Sequence, residues 1–337
     1  NNWIIGQVAG TAVGPDDNVW LIHRPWTVQA TNAGSTPSTS TRDQAWGHDP
    51  LQSLCCTTAP PVLAFDPDGN VVQSWGGDDP GGAYPWFNSE HGIHVDHQGF
   101  VYVAGNGGGD HHLMKFTAEG EFVWKIGDVG VSQGSNDVNS VNRTATMEVD
   151  PATNELYVAD GYGNRRVIVF DAETGDYLRH WGAYGERPDD TDLPPYDPQA
   201  EPIRHFRSPV HGVAIANDGL VYVADRTNNR LQVFQQDGQF VTEAFVRTQT
   251  LGSGSASGVT LSEDADQRWL FMPDGTNNVV WILDRSSLEV VDYFGRLGKN
   301  AGQFYRLHNL AIDSRGHLYT TEVNVGQCLQ KFDRVGG

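Results

Sequence analysis

Three histidines open short apolar stretches that read as β-strands: His91 in HGIHVD, His211 in HGVAIA and His308 in HNLAID. Three neutral imidazoles converging from different directions make a facial metal site with an open coordination position, the arrangement that catalytic zinc uses. Arg24 in VWLIHR, Tyr162 in VADGYGN and Arg226 in VYVADR each follow a second apolar stretch. Two guanidiniums and a phenol beside such a metal can hold a carboxylate, stabilise an oxyanion and move a proton. The chemistry requires elements that gather residues from both halves of the chain.

A repeat supplies them. A short apolar strand, an Asp/Gly/Asn turn and an apolar strand with an aromatic recur six times. The first-strand anchors are Val13, Val95, Val149, Ile215, Leu261 and Ile312, spaced by 82, 54, 66, 46 and 51 residues. The aromatics Trp20, Tyr102, Tyr157, Tyr222, Trp269 and Tyr319 follow their anchors by seven or eight positions. A third strand and, in most copies, a fourth follow, and no helical periodicity is sustained. Four short strands per unit with tight turns predict an all-β, six-bladed β-propeller. It is read as one domain over residues 1–337, with blades at about 11–76, 87–127, 143–183, 207–245, 256–296 and 305–333. The last unit stops after its third strand, so residues 3–10 are expected to close it as a fourth strand and remove the open edge. Residues 27–60 and 184–206 break the repeat and read as loops.

Within this ring the histidines share a register. Each opens the innermost strand of blades two, four and six, where Ala145 and Ser257 stand in blades three and five and a residue near Gly10 in blade one. Alternate blades therefore direct imidazoles to one mouth of the channel. Residues after second strands lie on the same face, which puts Arg24, Arg226 and Tyr162 beside the histidines, Tyr162 one place beyond the shared register. Asp160 and Asp225, at the ends of those strands, are expected to bind turn amides. The other nine histidines, among them His94, His97, His111 and His112, share no register and are expected to be structural or superficial.

Composition narrows the function classes. The 42 Asp+Glu against 22 Lys+Arg give a net charge of −20, which disfavours nucleic acid and anionic membrane surfaces. No apolar run reaches the ~20 residues that span a bilayer. Ten Trp and 10% aromatics exclude a disordered acidic chain. Cys55 and Cys56 are adjacent and Cys328 is distant, so one long-range bridge or free thiols are both open. The start at Asn1, the scarcity of Lys and the acidity are expected of a processed, secreted or periplasmic protein, and a monomer is expected.

The segments GQVAG, DDNVWLIHR, VADGYGNRR, PVHGVAIA, VADR and HNLAID together resemble peptidyl-α-hydroxyglycine α-amidating lyase, an NHL-repeat propeller enzyme. The resemblance spans all six blades. It implies zinc on His91, His211 and His308, Tyr162 as the base, and Arg24 and Arg226 as positioning and polarising groups. It implies cleavage of a carbinolamide to an amide and an aldehyde acid, with a small or peptide-like anionic substrate. It also implies a structural calcium on the carbonyls of Thr11 and Ile93, with Asn309 where the family has Asp. Gly163 replaces the family's cysteine beside the tyrosine, so that disulfide is absent. Iron, manganese and copper remain alternatives to zinc. A lactone or ester hydrolase using the same metal and a non-catalytic NHL interaction module remain the competing functions.

Overall fold

The computed structural model describes residues 3–28 and 57–335. The chain opens with β1 (Trp3–Ile4), β2 (Gln7–Val13) and β3 (Val19–Arg24), then continues through β4 (Thr57–Thr58), β5 (Val62–Phe65) and β6 (Val71–Trp75). Strands β2-β3-β5-β6 form the first sheet, and β1 pairs with β4 in parallel beside it. The second sheet holds β7 (Glu90–Val95), β8 (Val101–Gly105), β9 (His112–Phe116) and β10 (Phe122–Gly127). The third holds β11 (Thr146–Asp150), β12 (Glu155–Asp160), β13 (Arg166–Asp171) and β14 (Tyr177–Trp181). The fourth holds β15 (Val210–Ile215), β16 (Val221–Asp225), β17 (Arg230–Phe234) and β18 (Phe240–Phe245). The fifth holds β19 (Thr260–Leu261), β20 (Trp269–Asp274), β21 (Val279–Asp284) and β22 (Val290–Phe294). The sixth has three strands, β23 (Leu307–Ile312), β24 (Leu318–Glu322) and β25 (Leu329–Phe332).

These are the six antiparallel blades that the repeat predicts, and the chain is all-β. Each blade follows from local chemistry. In DHQGF the Asp96 carboxylate accepts the Gln98 and Phe100 amides while Gly99 takes φ +85°, which reverses the chain tightly. The repeat aromatic then braces that turn: Tyr102 Oη donates to Asp96 Oδ2 (2.9 Å), and Tyr319 Oη to Asp313 Oδ2 (3.0 Å). Apolar faces pack between blades. Tyr102 and Ala104 of blade two join Met147, Val149 and Leu156 of blade three in one cluster. Burying each such large aliphatic side chain contributes about 1.5–3 kcal/mol.

The N-terminal segment departs from expectation. Residues 3–10 do not supply a fourth strand to the last blade. Gln7–Val13 is the innermost strand of blade one, buried through residues 8–12, and pairs with Val19–Arg24. Outer strands here are largely exposed, as Val71–Trp75 and Val290–Phe294 are, so the small-residue run VAGTA belongs at the crowded axis. The ring closes instead by packing: β2 touches β7 on one side and β23 on the other. Trp3 and Ile5 also cluster with Leu329 of β25.

No strand lies between Trp181 and Val210, as the loop reading of 184–206 predicts, and Arg230 pins that stretch through the carbonyls of Ile203 and His205. Most of the expected loop at 27–60, with Cys55 and Cys56, lies outside the described residues. Cys328 is a free thiol that donates to Glu322 Oε1 (3.0 Å), and burial pushes it up to about 12. Among the described residues no helix is long and apolar enough to cross a membrane.

Candidate functional site

The pairing of innermost and second strands slips at one place in four blades. The shifts fall between Val8 and Gly10, Glu90 and Gly92, Val210 and Gly212, and Leu307 and Asn309. The bulged residues are therefore Ala9, His91, His211 and His308. A bulge re-aims its side chain away from the strand's alternation, and here three bulges turn imidazoles into the channel. Blade one carries Ala9 at this position, one residue before the expected Gly10.

Each imidazole is then locked by the following register position. His91 Nδ1–H donates to the Ala145 carbonyl (2.7 Å), His211 Nδ1–H to the Ser257 carbonyl, and His308 Nδ1–H to the Ala9 carbonyl (2.6 Å). This leaves three Nε2 lone pairs facing inward, and one ligand atom from each histidine lies within 4.8 Å of the others. All three rings are buried, which keeps them neutral. Burial, with His308 and the Arg24 charge, lowers His91 well below the usual range; burial and the Arg226 charge do the same for His211. Burial first, then Arg24 and Arg226, pushes His308 down to about 3.

Tyr162 faces this triad. Its Oη lies 3.0 Å from His91 Nε2 and 3.0 Å from His211 Nε2, and Arg226 Nη1–H donates to it at 3.2 Å. The phenol has one proton for two acceptors, and among the described residues His308 Nε2 has no hydrogen-bond partner. Three converging lone pairs with one donor are a cation's coordination sphere, so the residues present fit a zinc-type ion.

The backbone around Tyr162 is over-determined. A Cβ on Gly161 would sit 2.0 Å from the Val210 carbonyl oxygen, and one on Gly163 would sit 2.0 Å from Asn142 Oδ1. Glycine on both sides is therefore a demand of close approach, and Asn142 fills the space beside Gly163. Asp160 holds the same turn from below, accepting the Asn142 amide (2.8 Å) and Arg166 Nε (2.9 Å). Asp225 repeats this with the Arg207 amide (3.1 Å) and Arg230 Nε (2.8 Å), and Arg226 follows it directly. Both aspartates thus bind turn amides, as expected, and each also neutralises a fully buried arginine.

Arg24 ends β3 and is anchored by the Glu90 carbonyl (2.9 Å), Gln7 Oε1 (3.0 Å) and Asn106 Oδ1 (3.2 Å). Burial pushes its guanidinium below the usual range, while Tyr162 raises it. Two further arginines escaped the sequence reading. Arg143 donates from Nε to the Asn106 carbonyl (2.8 Å), with its guanidinium 5.9 Å from the Tyr162 ring centre. Arg306 is held by Ser253 Oγ (2.5 Å); burial and the Arg226 charge lower it, and Tyr162 raises it. Each precedes a channel-mouth position by two residues, Ala145 and His308, and that shared offset is the signal that could have found them.

Thr11, Ile93 and Asn309 line a separate channel cavity of about 250 Å³. Asn309 Oδ1 accepts the Thr11 amide (3.3 Å), so the amide oxygen is engaged and adds no charge. These donors fit a calcium ion poorly. Two other histidines are structural: His23 and His94 each accept a hydrogen bond from a backbone amide.

Comparison with known proteins agrees with the architecture. Residues 210–234 match the NHL repeat. A Xenopus laevis peptidyl-glycine alpha-amidating monooxygenase B is 26% identical over 330 residues, 96% of this chain and 33% of that protein. Human NHL repeat-containing protein 3 is 25% identical over 293 residues, 81% of this chain and 72% of that one. A Caenorhabditis elegans protein named as a probable peptidyl-alpha-hydroxyglycine alpha-amidating lyase is 25% identical over 68% of this chain and 56% of its own. The chain thus spans about a third of the length of the Xenopus monooxygenase it matches. A streptogramin B lyase structure superposes with a TM-score of 0.55 at 12% identity, covering 97% of this chain and 93% of that one, a likeness of fold. The chain is an all-β, six-bladed propeller carrying an NHL repeat, with relatives named as amidating monooxygenases, an amidating lyase and NHL repeat proteins.

Proposed function

We propose that the protein is a metal-dependent lyase that cleaves a carbinolamide, R–CO–NH–CH(OH)–COO⁻, into the amide R–CO–NH₂ and glyoxylate. The observation that carries this reading is Tyr162 Oη, 3.0 Å from Nε2 of two of three converging neutral histidines and accepting a hydrogen bond from Arg226. Similarity to the amidating proteins supports it. His91, His211 and His308 would hold the metal, zinc by donor chemistry, which when bound supplies Lewis acidity toward an oxygen ligand.

The chain's own residues account for the rest. Tyr162, as the tyrosinate, takes the proton of the carbinol hydroxyl. The C–O bond becomes C=O, the C–N pair leaves with nitrogen, and a proton returned to that nitrogen completes the amide. Arg226, donating to the same oxygen, partners the tyrosinate charge until the proton arrives. Arg24, carried on the rigid end of β3, presents a cation to the substrate carboxylate.

The test is release of glyoxylate from N-benzoyl-α-hydroxyglycine by zinc-loaded protein, with metal content measured in parallel. Turnover that is lost in His211→Ala together with bound metal supports the reading. Stoichiometric metal without glyoxylate release, or release unaffected by metal removal, overturns it.

A further inference from the structure

Four arginines surround the triad in a protein of net charge −20, and none has a carboxylate within ion-pair distance among the described residues. The two fully buried arginines, by contrast, each have an acid: Arg166 has Asp160 and Arg230 has Asp225. Four half-buried guanidiniums grouped about one triad, with no acid in ion-pair contact among the described residues, are matched to an anionic ligand.

They divide into two pairs. Arg24 (blade one) and Arg143 (blade three) meet at Asn106, one on its side-chain oxygen and the other on its carbonyl. Arg226 (blade four) donates to the Tyr162 oxygen, and Arg306 (blade six), anchored on Ser253 Oγ, stands two residues before His308. One pair therefore spans blades one to three and the other blades four to six. Donors remain free in both. Arg226 Nε is buried without a partner. Both newly found arginines also sit in strained backbone, Arg143 at φ +59° and Arg306 at φ +69°. Non-glycine residues take this region at a cost that is typically retained at functional positions.

We infer that the substrate is a dianion, with one acid group seated between Arg24 and Arg143 and a second between Arg226 and Arg306. This rests on the lyase reading: the carbinol carboxylate fills one seat, and an acid group on the acyl portion fills the other. Paired guanidiniums recognise carboxylates through parallel N–H donors, which gives each seat geometry as well as charge.

The experiment compares N-succinyl-α-hydroxyglycine with N-butyryl-α-hydroxyglycine, which differ by the terminal carboxylate. Zinc-loaded wild-type protein is expected to favour the succinyl compound in kcat/KM by about tenfold or more, the scale of a charged hydrogen bond. Arg306→Gln and Arg143→Gln are made separately, with thermal midpoints checking that each folds. At least one is expected to bring the ratio near one. A wild-type ratio near one overturns the dianion and leaves the lyase reading intact. A large ratio unchanged in both variants overturns the assignment of the seats. If neither compound turns over, the lyase reading fails, and calorimetric binding of succinate against butyrate decides the seats. Tighter succinate binding that Arg306→Gln abolishes upholds them, and equal binding overturns them.

Discussion

His308 Nδ1 donates to the carbonyl of Ala9 at 2.6 Å, joining residues 299 positions apart in sequence. One hydrogen bond thus ties the last blade to the first and sets the tautomer that turns His308 Nε2 toward the other two histidines. His308→Ala should therefore act twice. Bound metal should fall from about one ion per chain toward zero on elemental analysis. The metal-free protein should also lose about 1–3 kcal/mol in urea unfolding, from the lost hydrogen bond and the space left behind. Unchanged stability of the metal-free variant would remove its part in ring closure.

Tyr162→Phe separates binding from proton transfer. The variant keeps the ring and the glycine-flanked turn, so metal content should match wild type. Glyoxylate release should drop by about 10²–10⁴-fold, the range for a general acid–base group. Full activity in the variant would assign the proton to another residue.

Asp160→Asn probes the support beneath Tyr162. Asp160 and Arg166 are both fully buried and lie 2.9 Å apart. The amide leaves Arg166 without a counter-charge, which should cost about 3–5 kcal/mol of stability. Urea unfolding reads this directly; a loss below about 1 kcal/mol would show that the carbonyls of Ser135, Asp137 and Ser140 suffice for Arg166.

The pH dependence of stability follows from two histidines outside the triad. His23 Nδ1 accepts the Gly6 amide (3.1 Å) and His94 Nε2 accepts the Val149 amide (3.1 Å), so both are needed as neutral acceptors. Burial lowers each from 6.5 to about 4. Unfolded chains take up these protons near 6.5 and the folded protein does so near 4, so stability is held above about pH 6.5 and lost as pH falls toward 4. Each histidine adds up to about 1.4 kcal/mol per pH unit of slope. Glu148 opposes them, since burial raises its carboxyl to about 8 and its contribution declines as pH rises from 4.5. The two histidines together outweigh it, so the urea midpoint should be lower at pH 4.5 than at pH 7; a flat profile would contradict this account.

Much of this molecule is written in short-range pattern. The aromatic seven or eight residues after each anchor and the Asp/Gly turn before it are local chemistry, so they disclose the blades to anyone reading residues in order. The shared register of His91, His211 and His308 is legible for the same reason: a repeat converts sequence position into angular position around a ring. Arg24, Arg226 and Tyr162 follow from counting along second strands.

What tertiary structure alone decided is where that counting fails. The bulges at His91, His211 and His308 are set by crowding at the axis and by carbonyls of the next blade, which no window of sequence contains. Residues 7–13 became an inner strand because small side chains fit the axis, a constraint visible only once six blades compete for that space. Arg143 and Arg306 reach the site through left-handed backbone and partners on neighbouring blades, Asn106 and Ser253. The sequence by itself determined the ring and the alternate-blade histidines, because periodic burial needs only local order. The ring's closure and the four-arginine surround were decided by contacts between blades, because their energy exists only after the ends of the chain have met.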